Sequence, residues 1–126
     1  MERNTRQRVA IRRAFERADR PLSPVEVLAE ARREVSALGI ATVYRSIKML
    51  QDDGWLAAVE LPGESPRYEL SGKQHHHHFH CSTCDRVFEI PCHVSSTPPT
   101  LPRAFRVDRH EIVLYGRCDE CAPSAE

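Results

Sequence analysis

The first 72 residues contain neither a cysteine nor a histidine; all five cysteines and all seven histidines fall in residues 73–126. That absence removes thiol and imidazole chemistry from the first half and suggests two modules joined near 71–74, where Ser71 and Gly72 interrupt the pattern. No apolar run approaches the roughly 20 residues a membrane span needs, and no signal-peptide pattern opens the chain. The expected location is therefore cytoplasmic, with no membrane partner. Net charge is absent too, because 18 basic and 18 acidic side chains cancel, so any footprint for phosphate must be local. No H-E-x-x-H or other catalytic motif appears, which argues against an enzyme.

What is present is unevenly placed. Residues 1–20 carry seven arginines (3, 6, 8, 12, 13, 17 and 20) against Glu2, Glu16 and Asp19. A chain of 126 residues suits one domain or two very small ones. Modules this small bury little core, so the second gains from a metal staple and both gain from dimerisation.

The first module, residues 1–72, reads as helices followed by a hairpin. Asn4 or Thr5 caps a helix to about residue 18, with Ala10, Ile11, Ala14, Phe15 and Ala18 on one arc and Arg6, Arg12, Arg13 and Arg17 on the other. Ser23-Pro24-Val25-Glu26 is a capping box with proline at the first helical position, opening a helix to about Val35. After a turn at Gly39 a third helix runs from Ala41 to Asp53. Val43, Ile47 and Leu50 face the core, while Tyr44, Arg45, Lys48 and Gln51 face out. Residues 55–61 and 67–70 read as two strands around the Pro62–Pro66 turn.

Helix, turn, helix and a two-stranded ribbon make a winged helix-turn-helix. Its outward helix suits a major groove, with Arg45 and Lys48 as cations and Tyr44 as an apolar edge. A protein-binding helix hairpin is the competing reading; the arginine-rich first helix and the wing favour double-stranded DNA. Thr42, on the same helix, and Arg8, on the first, complete the candidate contacts.

In residues 73–126, Cys81-x2-Cys84 and Cys118-x2-Cys121 are two thiolate knuckles that together make a closed tetrahedral zinc site. The 33 residues between the pairs exceed the usual ribbon spacing, so a folded insert lies between them. Disulfides and a thioredoxin-like redox pair are weaker alternatives, given the cytoplasmic expectation and the duplicated pair. Before the first knuckle runs His75-His76-His77-His78-Phe79-His80. On a strand, side chains alternate, so His75 and His77 face one way and His76 and His78 the other. Glu69, on the returning wing strand, can join His76 and His78 across the two modules. His110, before strand-like residues 111–115, can join His75 and His77. A loosely binding surface histidine tract is the plainer alternative.

Ala41-Thr42-Val43-Tyr44-Arg45-Ser46-Ile47, the histidine run before Cys81-x2-Cys84, and His110 through Gly116-Arg117-Cys118-x2-Cys121 together resemble the ferric uptake regulator family. Thr5-Arg6-Gln7-Arg8 resembles that family's approach to its first helix. The resemblance implies an α+β protein: an N-terminal winged-helix domain and a small C-terminal α/β dimerisation domain with a four-cysteine zinc. It implies a homodimeric, metal-dependent repressor on operator DNA, with Tyr44 and Arg45 as DNA contacts. It further implies a hinge sensor site at Glu69, His76 and His78, and a second site at His75, His77 and His110.

Two departures bear on the metal. Arg20-Pro21-Leu22 stands where iron-sensing members often place a further histidine ligand. After the Val-Phe-Glu strand, residues 91–99 offer prolines and no carboxylate, leaving Cys92 or His93 as extra ligands, unless Cys92 is a buried thiol. Thiolate and imidazole favour zinc over iron(II) or manganese(II), so the resemblance is to a zinc uptake regulator, with a structural and a regulatory zinc. Iron-, manganese- and peroxide-responsive regulators of the same family are the nearer rivals. A zinc hydrolase lacks its general base, and a metal chaperone leaves the Tyr44–Gln51 helix without a purpose.

Overall fold

A computed structural model describes residues 2–91 and 102–122, which divide into two compact units, Met1–Lys73 and Gln74–Glu126. In the first, three helices precede a two-stranded ribbon: α1 (Glu2–Ala18), α2 (Pro24–Ala31), α3 (Ile40–Asp52), β1 (Leu56–Val59) and β2 (Arg67–Leu70). In the second, β3 (His76–Cys81) is the central strand, antiparallel to β4 (Val87–Pro91) and parallel to β5 (Val113–Gly116).

The helices form where apolar residues recur at helical spacing. Ala10, Ile11, Ala14 and Phe15 of α1 pack with Val27 and Ala31 of α2 and with Val43 and Ile47 of α3, all buried. Leu22 and Leu38, from the connecting segments, and Leu56, the first residue of β1, close the core. Trp55 meets Phe15 edge-on at 6.3 Å, and the Arg12 guanidinium lies 4.8 Å from the Trp55 ring, so the exposed arginine shields the indole. Ser23 caps α2 reciprocally: its Oγ accepts from Glu26 N–H at 3.2 Å, and its own N–H donates to Glu26 Oε1 at 2.9 Å.

Several boundaries differ from the sequence expectation. α1 begins at Glu2, before Asn4. α2 stops at Ala31 and not near Val35, because Leu38 must return to the core; Arg32 Nε donates to the Leu38 carbonyl at 2.8 Å and fixes that return. Gly39 is the N-cap of α3, which starts at Ile40 and ends at Asp52. The first strand is shorter than residues 55–61. Trp55 N–H turns back to the Leu50 carbonyl at 2.8 Å, and Leu61 already accepts a turn hydrogen bond from Glu64. The ribbon gains a contact that periodicity does not show: Leu22 bridges Tyr68 through hydrogen bonds of 2.8 and 2.9 Å.

Glu34, just beyond α2, accepts from Arg13 at 2.6 Å and Arg17 at 3.0 Å, tying that turn to α1. The Arg13 hydrogen bond holds its carboxyl below the ordinary 4.5. A depressed carboxylate stabilises the fold fully above 4.5 and loses that contribution as pH falls through the lower folded value. Glu34→Gln is therefore expected to melt slightly lower than wild type at neutral pH. Below 4.5 the gap narrows, as thermal melts across the acid range will show. The pairs are solvent-exposed, so the effect is small.

In the second unit, Phe79 of β3 packs where a Cβ on Gly116 of β5 would stand 3.2 Å from its ring, so the strands approach closely because residue 116 has no side chain. The described residues of this unit supply strands and turns. The helical part of the expected α/β domain, with Cys92 and His93, falls on residues outside those described.

Candidate metal centres and nucleic-acid surface

Two tight turns bring the four cysteines together. Cys81 ends β3, its N–H donating to the Arg86 carbonyl at 2.9 Å, while Asp85 N–H returns to the Cys81 carbonyl at 2.9 Å. Asp85 takes a left-handed conformation, φ 65°, which closes the loop. On the other knuckle, Cys121 N–H and Ala122 N–H both reach the Cys118 carbonyl, at 3.0 and 2.7 Å. The four sulfurs all lie within 4.8 Å of one another, with Cys84 and Cys118 at 3.8 Å. Arg86 and Glu120 join the two turns by a 2.7 Å ion pair.

The electrostatics suit a dication. Backbone N–H groups of Cys84 and Cys118, each 3.4 Å from Cys81 Sγ, draw that thiol down to about 6. Cys121 is pushed up to about 12, by its hydrogen bond with the Cys118 thiol and then by burial. One thiolate therefore forms readily and resists further negative charge beside it, a frustration that a tetrahedrally held zinc ion would relieve.

The histidine tract splits as strand alternation requires. His75, His77 and His110 cluster with ring centroids 4.6–5.0 Å apart, and the Nε2 atoms of His75 and His110 are 3.3 Å apart. Their candidate ligand atoms lie within 4.8 Å of one another. His77 is 4% exposed; its Nδ1 accepts from Ile112 N–H at 3.1 Å, and its Nε2 is buried with no hydrogen-bond partner among the described residues. Burial, followed by the neighbouring His75, lowers its pKa from 6.5, keeping the imidazole neutral and available to a cation. As the ring stands, Nε2 carries the hydrogen; beside two other imidazoles it becomes a metal ligand once that hydrogen is given up.

On the other face, His76 and His78 lie 4.8 Å apart by ring centroid. His76 Nδ1 sits 2.8 Å from the Gln74 carbonyl, so it carries the hydrogen and Nε2 presents its lone pair, as metal-bound histidines are commonly held. Glu69 is buried on β2, in the first unit, paired in register with Ala57.

Two residues escaped the sequence reading. Glu89 stands directly opposite His78 in the β3–β4 register and shares its face. Alternation within Val87–Pro91 could have found it, once the hairpin register was known. His80 continues the series 76, 78, 80; it is buried, and its Nε2 lies 2.7 Å from Asp85 Oδ1, where it braces the left-handed turn of the first knuckle.

On α3, Tyr44, Arg45 and Lys48 are exposed opposite the buried Val43 and Ile47. Thr42 Oγ1 accepts from Arg45 at 3.1 Å, preordering the guanidinium, whereas Lys48 is paired with Asp52 at 3.6 Å. Arg8 and Arg12 of α1 line a cleft with Ser46 and Met49 of α3, so basic side chains of the first helix flank the outward helix. No helix among the described residues is long and apolar enough to cross a membrane.

Comparison with known proteins agrees with this architecture. The family model described as "Ferric uptake regulator family" matches residues 2–115. A ferric uptake regulation protein of Campylobacter upsaliensis is 29% identical over 122 residues, covering 93% of this chain and 78% of that protein. Among solved structures, a zinc-bound manganese uptake regulator aligns with TM-score 0.73 and 25% identity, over 89% of this chain and 87% of that one. FurB of M. tuberculosis, a zinc uptake regulator, aligns with TM-score 0.52 and 28% identity over 95% of each chain. These relatives are named for iron, manganese and zinc, so kinship fixes the regulator class and the ion must be argued from the ligands. The chain belongs to the ferric uptake regulator family.

Proposed function

We propose that this chain is a homodimeric repressor of metal-uptake genes, binding operator DNA when zinc is plentiful. The observation that carries the choice of zinc is the second cluster, three imidazoles with a buried, unpartnered nitrogen and no carboxylate among its three members. Nitrogen-rich sets favour zinc, whereas manganese(II) asks for more oxygen.

In this reading Cys81, Cys84, Cys118 and Cys121 hold a structural zinc, and residues 73–126 form the dimerisation domain. His76 and His78, with Glu69 from the winged-helix domain, hold the regulatory ion. His75, His77 and His110 hold a second, and Cys92 or His93 adds a ligand. The ion supplies a positive centre that crosslinks side chains from both domains. His76, oriented by the Gln74 carbonyl, presents Nε2 with its lone pair. Glu69 transmits that restraint to β2, and through the wing to α3. Tyr44, Arg45, Lys48 and Thr42 then meet base edges, and Arg8 meets phosphate. Occupancy shifts the population only through its preference for the DNA-competent dimer, so DNA must tighten metal binding reciprocally.

The test is fluorescence anisotropy of operator DNA against the dimer, with free zinc, iron(II) and manganese(II) each buffered. Zinc should tighten binding by about 5–150-fold, the usual span of such couplings. Equal affinity for zinc-loaded protein and chelated protein that retains its cysteine-bound ion would defeat the reading.

A further inference from the structure

Two neighbouring imidazoles in the tract face opposite partners. His76 Nδ1 faces an acceptor, the Gln74 carbonyl, and its other nitrogen is left with a lone pair. His77 Nδ1 faces a donor, the Ile112 N–H at 3.1 Å, so the neutral ring must carry its hydrogen on Nε2, the buried atom with no partner. We infer that filling the His75–His77–His110 cluster with a divalent ion breaks the Ile112–His77 hydrogen bond, so the ion and the anchor at the head of β5 compete for one imidazole. The inference deepens the proposed function, resting on its reading of these three histidines as a metal site.

The competition follows from lone-pair counting. A neutral imidazole has one N–H and one lone pair. If His77 ligates through Nε2, the hydrogen moves to Nδ1 and confronts the Ile112 N–H, donor against donor. If it ligates through Nδ1, the lone pair that Ile112 uses is taken directly. Either way Ile112 N–H loses its acceptor. The Ile112 carbonyl keeps its own bond from His78 N–H at 3.1 Å, so the residue stays tethered on one side and is released on the other.

That release falls where β5 begins, one residue before Val113. Among the described residues β5 is an edge strand, parallel to β3, with Leu114 and Tyr115 exposed. The cluster is thereby coupled to the orientation of an exposed apolar edge, and His77 becomes a specificity residue. An ion must bind imidazole strongly enough to displace the amide, which favours zinc over manganese(II). A carboxylate at position 77 would not impose this choice, since two oxygens can serve the amide and the ion together.

The experiment uses 15N-labelled full-length protein with its cysteine-bound zinc retained, titrated with further zinc. Imidazole 15N shifts report occupancy, and Ile112 amide exchange reports the hydrogen bond. Occupancy in wild type should speed Ile112 exchange about tenfold, the change expected for loss of one amide–imidazole hydrogen bond. In His77→Asp, zinc should bind with Ile112 still protected; in His110→Ala, zinc should leave Ile112 unchanged. If imidazole shifts show zinc on His77 while Ile112 stays protected, or if His110→Ala responds as wild type does, the inference is overturned although the metal site stands. If the three imidazoles do not respond to zinc at all, the metal reading of this cluster falls with it.

Discussion

Cys118→Ser is expected to cost the chain its structural zinc and, with it, the ordered sheet of the second unit. Among the described residues, the buried apolar side chains of that unit are few: Val87, with the cysteines at 81 and 118. The three strands therefore enclose, among the described residues, little core to offset the entropy of ordering their backbone. Metal can offset it, because an ion bound only by the folded state adds its binding free energy to folding, about 10–16 kcal/mol for structural zinc in small domains. Removing one of four thiolates also exposes Cys81, whose sulfur accepts the Cys118 N–H, to an altered turn. Zinc released from purified wild type should match one tightly held ion per chain. Cys118→Ser should hold none through dialysis, and limited proteolysis should then cut within residues 74–122 while α1–α3 persist. A variant that lost zinc yet kept protected amides in β3 would show that the strands, and not the ion, hold this unit together.

The sequence showed most clearly those features whose cause is local. The Ser23–Glu26 capping box needs only four residues, and the structure contains both of its hydrogen bonds. The knuckles and the alternation of the histidine tract are equally local, and the α+β architecture follows from them and from helical periodicity. Features set by distant partners were not legible. α2 ends early because Leu38, seven residues on, has to reach the core. The Leu22–Tyr68 bridge joins residues 46 positions apart, with no local signature. Glu89 becomes a neighbour of His78 only when the hairpin register is fixed, since a slip of one residue would send it to the opposite face. His80 looked like one more member of a run; what distinguishes it is Asp85, held at a φ that few residues tolerate.

Arg45→Ala should lower operator affinity more than any other single change on α3. Its guanidinium is held by Thr42 and, among the described residues, bears no ion pair that DNA must first break, so little order is lost on contact. A bidentate arginine–base contact contributes about 1–3 kcal/mol of discrimination, or roughly 5–150-fold, and the loss should be greater on the operator than on unrelated DNA. Lys48→Ala should cost less, because its ammonium already leans on Asp52 and must give up that pair. Arg8→Ala, across the cleft on α1, should weaken operator and unrelated duplex alike and reduce the slope of log affinity against log salt by about one. Tyr44→Ala belongs with Arg45, since an exposed ring offers bases an apolar edge and little to phosphate. Anisotropy titrations of the four variants at several salt concentrations separate the classes. Should Arg45→Ala and Arg8→Ala lose affinity equally on every sequence, α3 would be gripping backbone and not reading bases, and specificity would have to be sought elsewhere on the winged-helix domain.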